Sequence, residues 1–313
     1  MLHLRVISPP AVTEDVVGLL TGHAGATHLV RLPGAAIAPA GDVVEADVAR
    51  ESADDVISAL CELGVDRSGG ITLEEIDTAL SDAAYRAEKD APGDPADAVV
   101  WEELLARTGE ESRLNVTFVA FLSIACLLAA VGVITDSPVT IVGAMVVGPE
   151  FGPLAAIAVG LVRRRWDLLR RAVAALAVGF PAAMLITALG TLAGNAAGMF
   201  NTSALLGEHQ VDFVYDVGPW SLIVALLAGA AGMLSMTSAK SAALVGVFIS
   251  VTTVPAAGYA SVAAILGEWG RFGQSVGQLA VNLVGIVVAA AVVLILRRDS
   301  WRSRDAGRPL SAG

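Results

Sequence analysis

Polar and hydrophobic positions change rhythm once along this chain, from short alternating stretches before residue 113 to long apolar runs after it. His3–Ser8 alternates and is rich in β-formers, which predicts a strand ended by Pro9 and Pro10. Thr13, Glu14 and Asp15 then open a helix whose apolar face is Val16, Val17, Leu19 and Leu20. Thr27–Leu32 and Asp42–Val48 read as the second and third strands. Ser52 is expected to cap a second helix carrying Val56, Ile57, Leu60 and Leu63, and Ile71–Ile76 follows Gly69 and Gly70 as the fourth strand. The order β-α-β-β-α-β predicts a small ferredoxin-like α+β domain over residues 1–78, with two helices on one face of an antiparallel sheet. Such a fold hosts regulatory and oligomerising modules and by itself fixes no function.

Residues 79–113 read as a linker and a coupling helix. A polar connector ends in Ala91–Pro92–Gly93–Asp94–Pro95, after which Val99, Val100, Trp101, Leu104 and Leu105 form an apolar stripe at helical spacing. Glu102, Glu103, Glu110 and Glu111 occupy the rest of that helix. Anionic lipid would repel it, so it is expected to pack on protein.

From residue 114 to 298 the hydropathy pattern predicts an α-helical polytopic membrane domain with six spans. They lie at about 115–134, 138–162, 172–195, 219–236, 241–266 and 275–296, each long enough for roughly 30 Å of hydrocarbon. Arg113, the cluster Arg163–Arg164–Arg165 with Arg170 and Arg171, and Arg297, Arg298, Arg302 and Arg304 all fall on one side if there are six crossings. The 196–218 loop on the other side has no Lys or Arg. The positive-inside rule then places both termini in the cytoplasm of a multi-pass protein of the cell (inner, cytoplasmic) membrane. Residues 299–313 read as a disordered cytoplasmic tail. MLHLRVISPP has no basic n-region or apolar h-region, so no cleaved signal peptide is expected.

A weak repeat runs through the membrane domain at an offset of 103 residues. Val142–Gly143 matches Val245–Gly246, Trp166 matches Trp269, and Leu176–Ala177–Val178 matches Leu279–Ala280–Val281. Three crossings per half is an odd number, so the halves run in opposite directions, giving a 3+3 inverted repeat. The second span is interrupted by Gly148–Pro149–Glu150–Phe151–Gly152–Pro153, which cannot continue an α-helix. Ser250–Val251–Thr252–Thr253–Val254–Pro255 occupies the matching place in the fifth span. Two broken helices at membrane depth need protein or a water-filled cavity around their free backbone groups.

Composition sharpens this division. The chain of 313 residues is 55% hydrophobic and 16% charged, where soluble chains are nearer a quarter charged. Residues 1–113 hold 22 acids and 8 bases, a net −14, and the rest hold 9 acids and 12 bases, a net +3, which together give the chain's −11. An acidic N-terminal domain is a poor partner for nucleic acid. Cys61 and Cys126 have no metal spacing and read as small buried residues.

The candidate substrate or ion site is Gly148, Glu150 and Gly152 with Thr252 and Thr253; Asn282 and Lys240 are secondary candidates. The glycines admit close backbone approach. Glu150 is an acid in the interior of a span, where a charge costs about 2.5–3.5 kcal/mol on insertion scales. A cation or proton site is one reading, and a protonated carboxyl that satisfies the N–H groups of the second half-helix is the other. Lys240 also reads as a positive-inside residue, and Asn282 as a bond to a neighbouring helix. Glu208, His209, Asp212 and Asp216 make an acidic outer loop, either an entrance for cations or a solvated surface. H-E-x-x-H, G-x-S-x-G and P-loop motifs are all missing, so no enzyme, cofactor or metal centre is expected.

Ser137–Pro138 through Ile141–Val142–Gly143–Ala144–Met145, then Gly148–Pro149 and Gly152–Pro153, followed by basic-flanked Trp166–Asp167–Leu168, resembles the prokaryotic hydrophobic membrane-protein family defined by domain of unknown function 389. Many members show Ser-Pro-Leu-Met-Gly-Pro where this chain has Gly148–Pro149–Glu150–Phe151–Gly152–Pro153, so Glu150 is a departure. The resemblance implies the fold and the membrane location and names no substrate. Two functions are expected from the whole: a transporter or channel-like homo-oligomer moving a small solute or ion, with the N-terminal domain regulatory or oligomerising; or a membrane-anchored ligand sensor or assembly scaffold without transport.

Overall fold

A computed structural model describes residues 1–76, 78–93, 98–200, 211, 218–238 and 253–305, with side chains as far as 297. The chain forms two compact units that divide between Leu104 and Leu105.

The N-terminal unit follows the expected order, with β1 Leu2–Ser8, α1 Thr13–Gly22, β2 Ala26–Ile37, β3 Ala40–Val48, α2 Arg50–Glu62, α3 Val65–Ser68 and β4 Gly70–Glu75. The sheet is antiparallel throughout, in the order β2-β3-β1-β4. Each crossover, β1–α1–β2 and β3–α2–β4, therefore leaves one strand between the two it joins, the split βαβ arrangement. The two-residue period sets the core. Leu2, Leu4 and Val6 of β1 lie opposite Val48, Ala46 and Val44 of β3, and all six are buried against Val16, Leu20, Val56, Ile57 and Leu60. Each of the larger side chains contributes about 1.5–3 kcal/mol by leaving water.

Two local expectations change. The second helix starts at Arg50 with Ala49 at its N-cap and no side-chain cap bond, so Ser52 does not cap it. The helix follows β3 without a loop, and Ser52 is buried inside the first turn against Gly25, where a Cβ would collide with it. The connector after β4 also contains a helix, α4 (Asp82–Asp90), because Ser81 accepts from the backbone N–H of Ala83 and Ala84 and because Ala84 and Ala87 are buried. The amphipathic helix forms as α5, Trp101–Glu111.

The second unit is helical: α6 Val116–Ile134, α7 Pro138–Val147, α8 Phe151–Val162, α9 Trp166–Ala196, α10 Pro219–Thr237, α11 Thr253–Leu266 and α12 Trp269–Asp305. Among the described residues, α6, α9, α10 and the part of α12 up to Arg297 are each long and apolar enough to cross a membrane. The pair α7 and α8 makes a fifth if counted as one span bent by 53°. Residues 239–252, which include the first half of the expected fifth span, lie outside the described residues.

The third and sixth spans were expected at 172–195 and 275–296, yet α9 and α12 both begin six residues earlier, at Trp166 and Trp269. The polar residues ahead of the apolar run continue the helix because no proline or glycine pair stops it there. At the other end α12 runs to Asp305, so the first residues of the expected irregular tail are helical. Close backbone approach holds this unit together. A Cβ on Gly229 would strike the backbone of Ile286, and one on Gly258 would meet Ala129 and the carbonyl of Cys126.

Candidate functional site

The interruption in the second span is built by its own residues. α7 is opened by Ser137, whose hydroxyl accepts from Thr140 N–H, and by Pro138 in its first turn. It stops at Val147 because Pro149 has no N–H to donate and disfavours helical geometry at the residue before it; Gly148 is accordingly extended, with φ −65° and ψ 127°. Glu150 occupies the N-cap of α8, and Pro153 falls in that helix's first turn, where a missing N–H costs nothing.

Glu150 is fully buried. The hydroxyl of Thr253, the first residue of α11, donates to its Oε1 at 2.5 Å, so two of the expected site residues are brought together across 103 residues of chain. The other oxygen, Oε2, has no hydrogen-bond partner among the described residues. The side chain makes no cap bond to α8. Gly148 lies directly beneath the carboxyl: a Cβ there would overlap the Glu150 side chain and crowd Val254 at 2.9 Å. Gly152 serves a second close approach. A Cβ on it would meet Glu111 Oε2 at 2.8 Å, and Glu111 Oε1 accepts from Arg107 Nε at 3.2 Å. A charged pair from the end of α5 thus sits against the first turn of α8.

Asn282 is buried on α12, where its Oδ1 accepts from Gln278 Nε2 at 3.3 Å. Thr252 and Lys240 lie outside the described residues, as do the outer-loop residues Glu208, His209, Asp212 and Asp216. An apolar recess of about 470 Å³ between α8, α9 and α12 is lined by Leu154, Phe180, Pro181, Leu283 and Val288, and offers no polar side chain to a solute.

Three features were missed by reading the sequence. Ser275 and Gln278 are buried with Asn282 along α12; their spacing of three and four residues in an apolar span was the available signal. Glu111 at the break had no such signal, since only folding brings it to Gly152. In the N-terminal unit, Asp47 accepts from His3 at 2.8 Å and from His28 at 2.7 Å, while His28 Nε2 meets Ser81 Oγ at 2.8 Å. Burial works against the Asp47 charge, but the hydrogen bonds from His28 and His3 outweigh it and hold the carboxyl below its usual range. The row Asp47–His28–Ser81 has the order of a nucleophilic triad. Ser81 Oγ, however, accepts from Ala83 and Ala84 N–H, which commits its lone pairs to capping α4. The arrangement is a clip between β1, β2, β3 and α4.

Comparison with known proteins finds a family likeness over part of the membrane unit. Residues 145–288, which hold the break, Thr253 and Asn282, match the family described as Domain of unknown function (DUF389), as the Ser137–Leu168 motifs suggested. An uncharacterized protein of Methanocaldococcus jannaschii is 24% identical over 227 residues, covering 70% of this chain and 66% of its own length. No solved structure matches the chain.

Proposed function

We propose that this chain, with a DUF389 domain over residues 145–288 as its membrane core, is a transporter or channel-like protein that moves a small solute or ion past Glu150, between two broken helices. The observation that carries the reading is the Glu150 carboxyl. It is wholly buried at a helix break, held on one oxygen by Thr253, and has its second oxygen unpartnered among the described residues. Leaving a buried acceptor unsatisfied costs about 1–3 kcal/mol, more for a charged group, and such a cost in an intramembrane acid is the mark of a site rather than of a packing element.

An inverted repeat with six crossings gives that site its setting. The boundaries of α6 and α10 differ by 103 residues at both ends, and α9 and α12 start 103 residues apart. Thr253 is likewise the counterpart of Glu150 at that offset. Residues close to a two-fold axis meet their own equivalents, so the Glu150–Thr253 bond supports a pseudo-axis through the break, which is where inverted-repeat transporters hold substrate and coupling ions. α8 packs on α12, and α11 on α9, so each half-helix crosses to the other half's last span. In this reading the protein is a homo-oligomer of the cytoplasmic membrane, both termini are cytoplasmic, the ferredoxin-like domain regulates or assembles it, and no catalytic step is involved.

The test is flux in proteoliposomes. Glu150→Gln keeps shape and hydrogen bonding and removes the charge. The variant is expected to insert and melt like the parent but to lose the ion or pH dependence of transport. Full retention of that dependence overturns the role of Glu150. Absence of flux with and without residues 1–95 favours the sensor or scaffold reading instead.

A further inference from the structure

α12 carries a second set of buried polar groups that the site at Glu150 does not explain. Ser275, Gln278 and Asn282 follow one another at three and four residues, so they share one face of the helix, and all three are buried. The Gln278 amide nitrogen is bonded to Asn282, but Gln278 Oε1 and Ser275 Oγ have no partner among the described residues. Helix packing does not require this. At the 103-residue offset the corresponding positions of α9 are Ala172, Ala175 and Gly179, all buried, with Gly179 seated against Phe118 and Leu122. One half of the unit thus closes the same helix face with small apolar residues, and the other half keeps polar atoms there at a cost.

The position of the stripe connects it to the break. α11 and α12 are antiparallel neighbours joined at Gly267, with Tyr259 hydrogen-bonded to Arg271 and Ala256 and Leu279 in one apolar cluster. Thr253 and Asn282 lie 14 and 15 residues from that turn, about 21 Å along either helix, and so at one depth. Gln278 and Ser275 are then one and two turns nearer the turn. The polar face therefore runs from the depth of Glu150 toward the α11–α12 end of the molecule.

We propose that Ser275, Gln278 and Asn282 coordinate a partly dehydrated monovalent metal cation of the sodium class on the route by which it reaches Glu150 from the α11–α12 side. This rests on the reading of Glu150 as an ion site. Among the described residues of this unit, the buried side-chain atoms without a partner are Glu150 Oε2, Ser275 Oγ and Gln278 Oε1, and all are oxygens. An oxygen-only set suits a hard cation. A single carboxylate with neutral oxygens matches one positive charge. An amide oxygen coordinates a metal ion but has no titrating proton to pass on, so the stripe fits a cation better than a proton relay.

The experiment uses full-length protein in detergent, melted in sodium chloride and in choline chloride at equal ionic strength. Ligand at concentration c that binds only the folded state stabilises it by RT ln(1 + c/Kd), so the melting temperature begins to rise once the concentration passes Kd. The parent is expected to melt higher in sodium. In Ser275→Ala/Gln278→Leu the sodium concentration at which that rise sets in increases at least about tenfold, the loss expected for removing coordinating oxygens. The choline melt should stay unchanged or rise, because two unsatisfied atoms are gone. If Glu150→Gln abolishes the sodium effect while Ser275→Ala/Gln278→Leu keeps it, the site at Glu150 stands and the route is wrong. A parent that ignores sodium overturns the cation assignment and leaves Glu150 to the flux assay. A lowered choline melt in both Gln278→Leu and Gln278→Met makes the stripe a packing element and overturns the proposal.

Discussion

A glycine and a glutamate two residues apart define the break. Because the Glu150 carboxyl lies over Gly148, the side chain added by Gly148→Ala has no free volume: it meets the carboxyl on one side and Val254 on the other. Neither neighbour swings away easily, since Glu150 is held by Thr253 and Val254 is buried in the core. The variant is expected to lose about 1–3 kcal/mol, the usual cost of overpacking, and to melt lower than the parent in detergent. An unchanged melt would mean that the carboxyl is not seated on this glycine. Residue identity matters differently at Ser81. Its geometry with His28 and Asp47 resembles a catalytic row, and only the two backbone donors at its oxygen reveal a helix cap.

Elements in this protein begin and end for reasons that differ between the two units. In the N-terminal unit side chains close the elements: Ser81 caps α4, and Asp47 joins His3 of β1 to His28 of β2. That clip carries a pH dependence. A carboxyl whose folded value is held below its ordinary 3.8 adds stability that is complete above that value and is lost as pH falls through the folded one. Cleavage within residues 1–104 by an acid-active protease should therefore accelerate as pH drops below about 4, and Asp47→Asn should flatten the change. Equal acceleration in both proteins would assign the acid sensitivity to other carboxylates, Asp42 first, whose charge is favoured by the Gly34 N–H and by Arg31. In the membrane unit side chains also cap, as Ser137 does for α7, but backbone constraints set the break itself. Pro149 ends α7 and bends the pair by 53°, whereas Pro181 sits inside α9 without ending it, the apolar helix continuing to Ala196.

At the scale of the whole chain the testable statement is topological. Four long apolar helices and one bent pair are described, and a sixth crossing needs residues 241–266 to pass through the bilayer as the second span does. Single cysteines at Ser203 and Ser311, in a background with Cys61 and Cys126 replaced, should react with impermeant maleimide from opposite sides of the membrane. Labelling from the same side would rule out six crossings and the inverted repeat with them.

The sequence by itself determined the division into an acidic α+β unit and an apolar helical one, the order of the first unit's elements, and the place of the break at Gly148–Pro153. Each of these is written in local signals: a period of two or of 3.6, a run of apolar residues, or prolines that forbid a helical hydrogen bond. The tertiary structure alone decided which groups share the break. Thr253 is 103 residues from Glu150, and Glu111 approaches Gly152 from the end of the acidic amphipathic helix, whose partner the sequence does not name. It also decided that Ser52 lies inside its helix and that Ser275 and Gln278 are buried, because burial depends on what packs against a face, and the helix period does not state that. The offset of 103, faint as a set of matched residues, recurs in both ends of α6 and α10 and in the starts of α9 and α12.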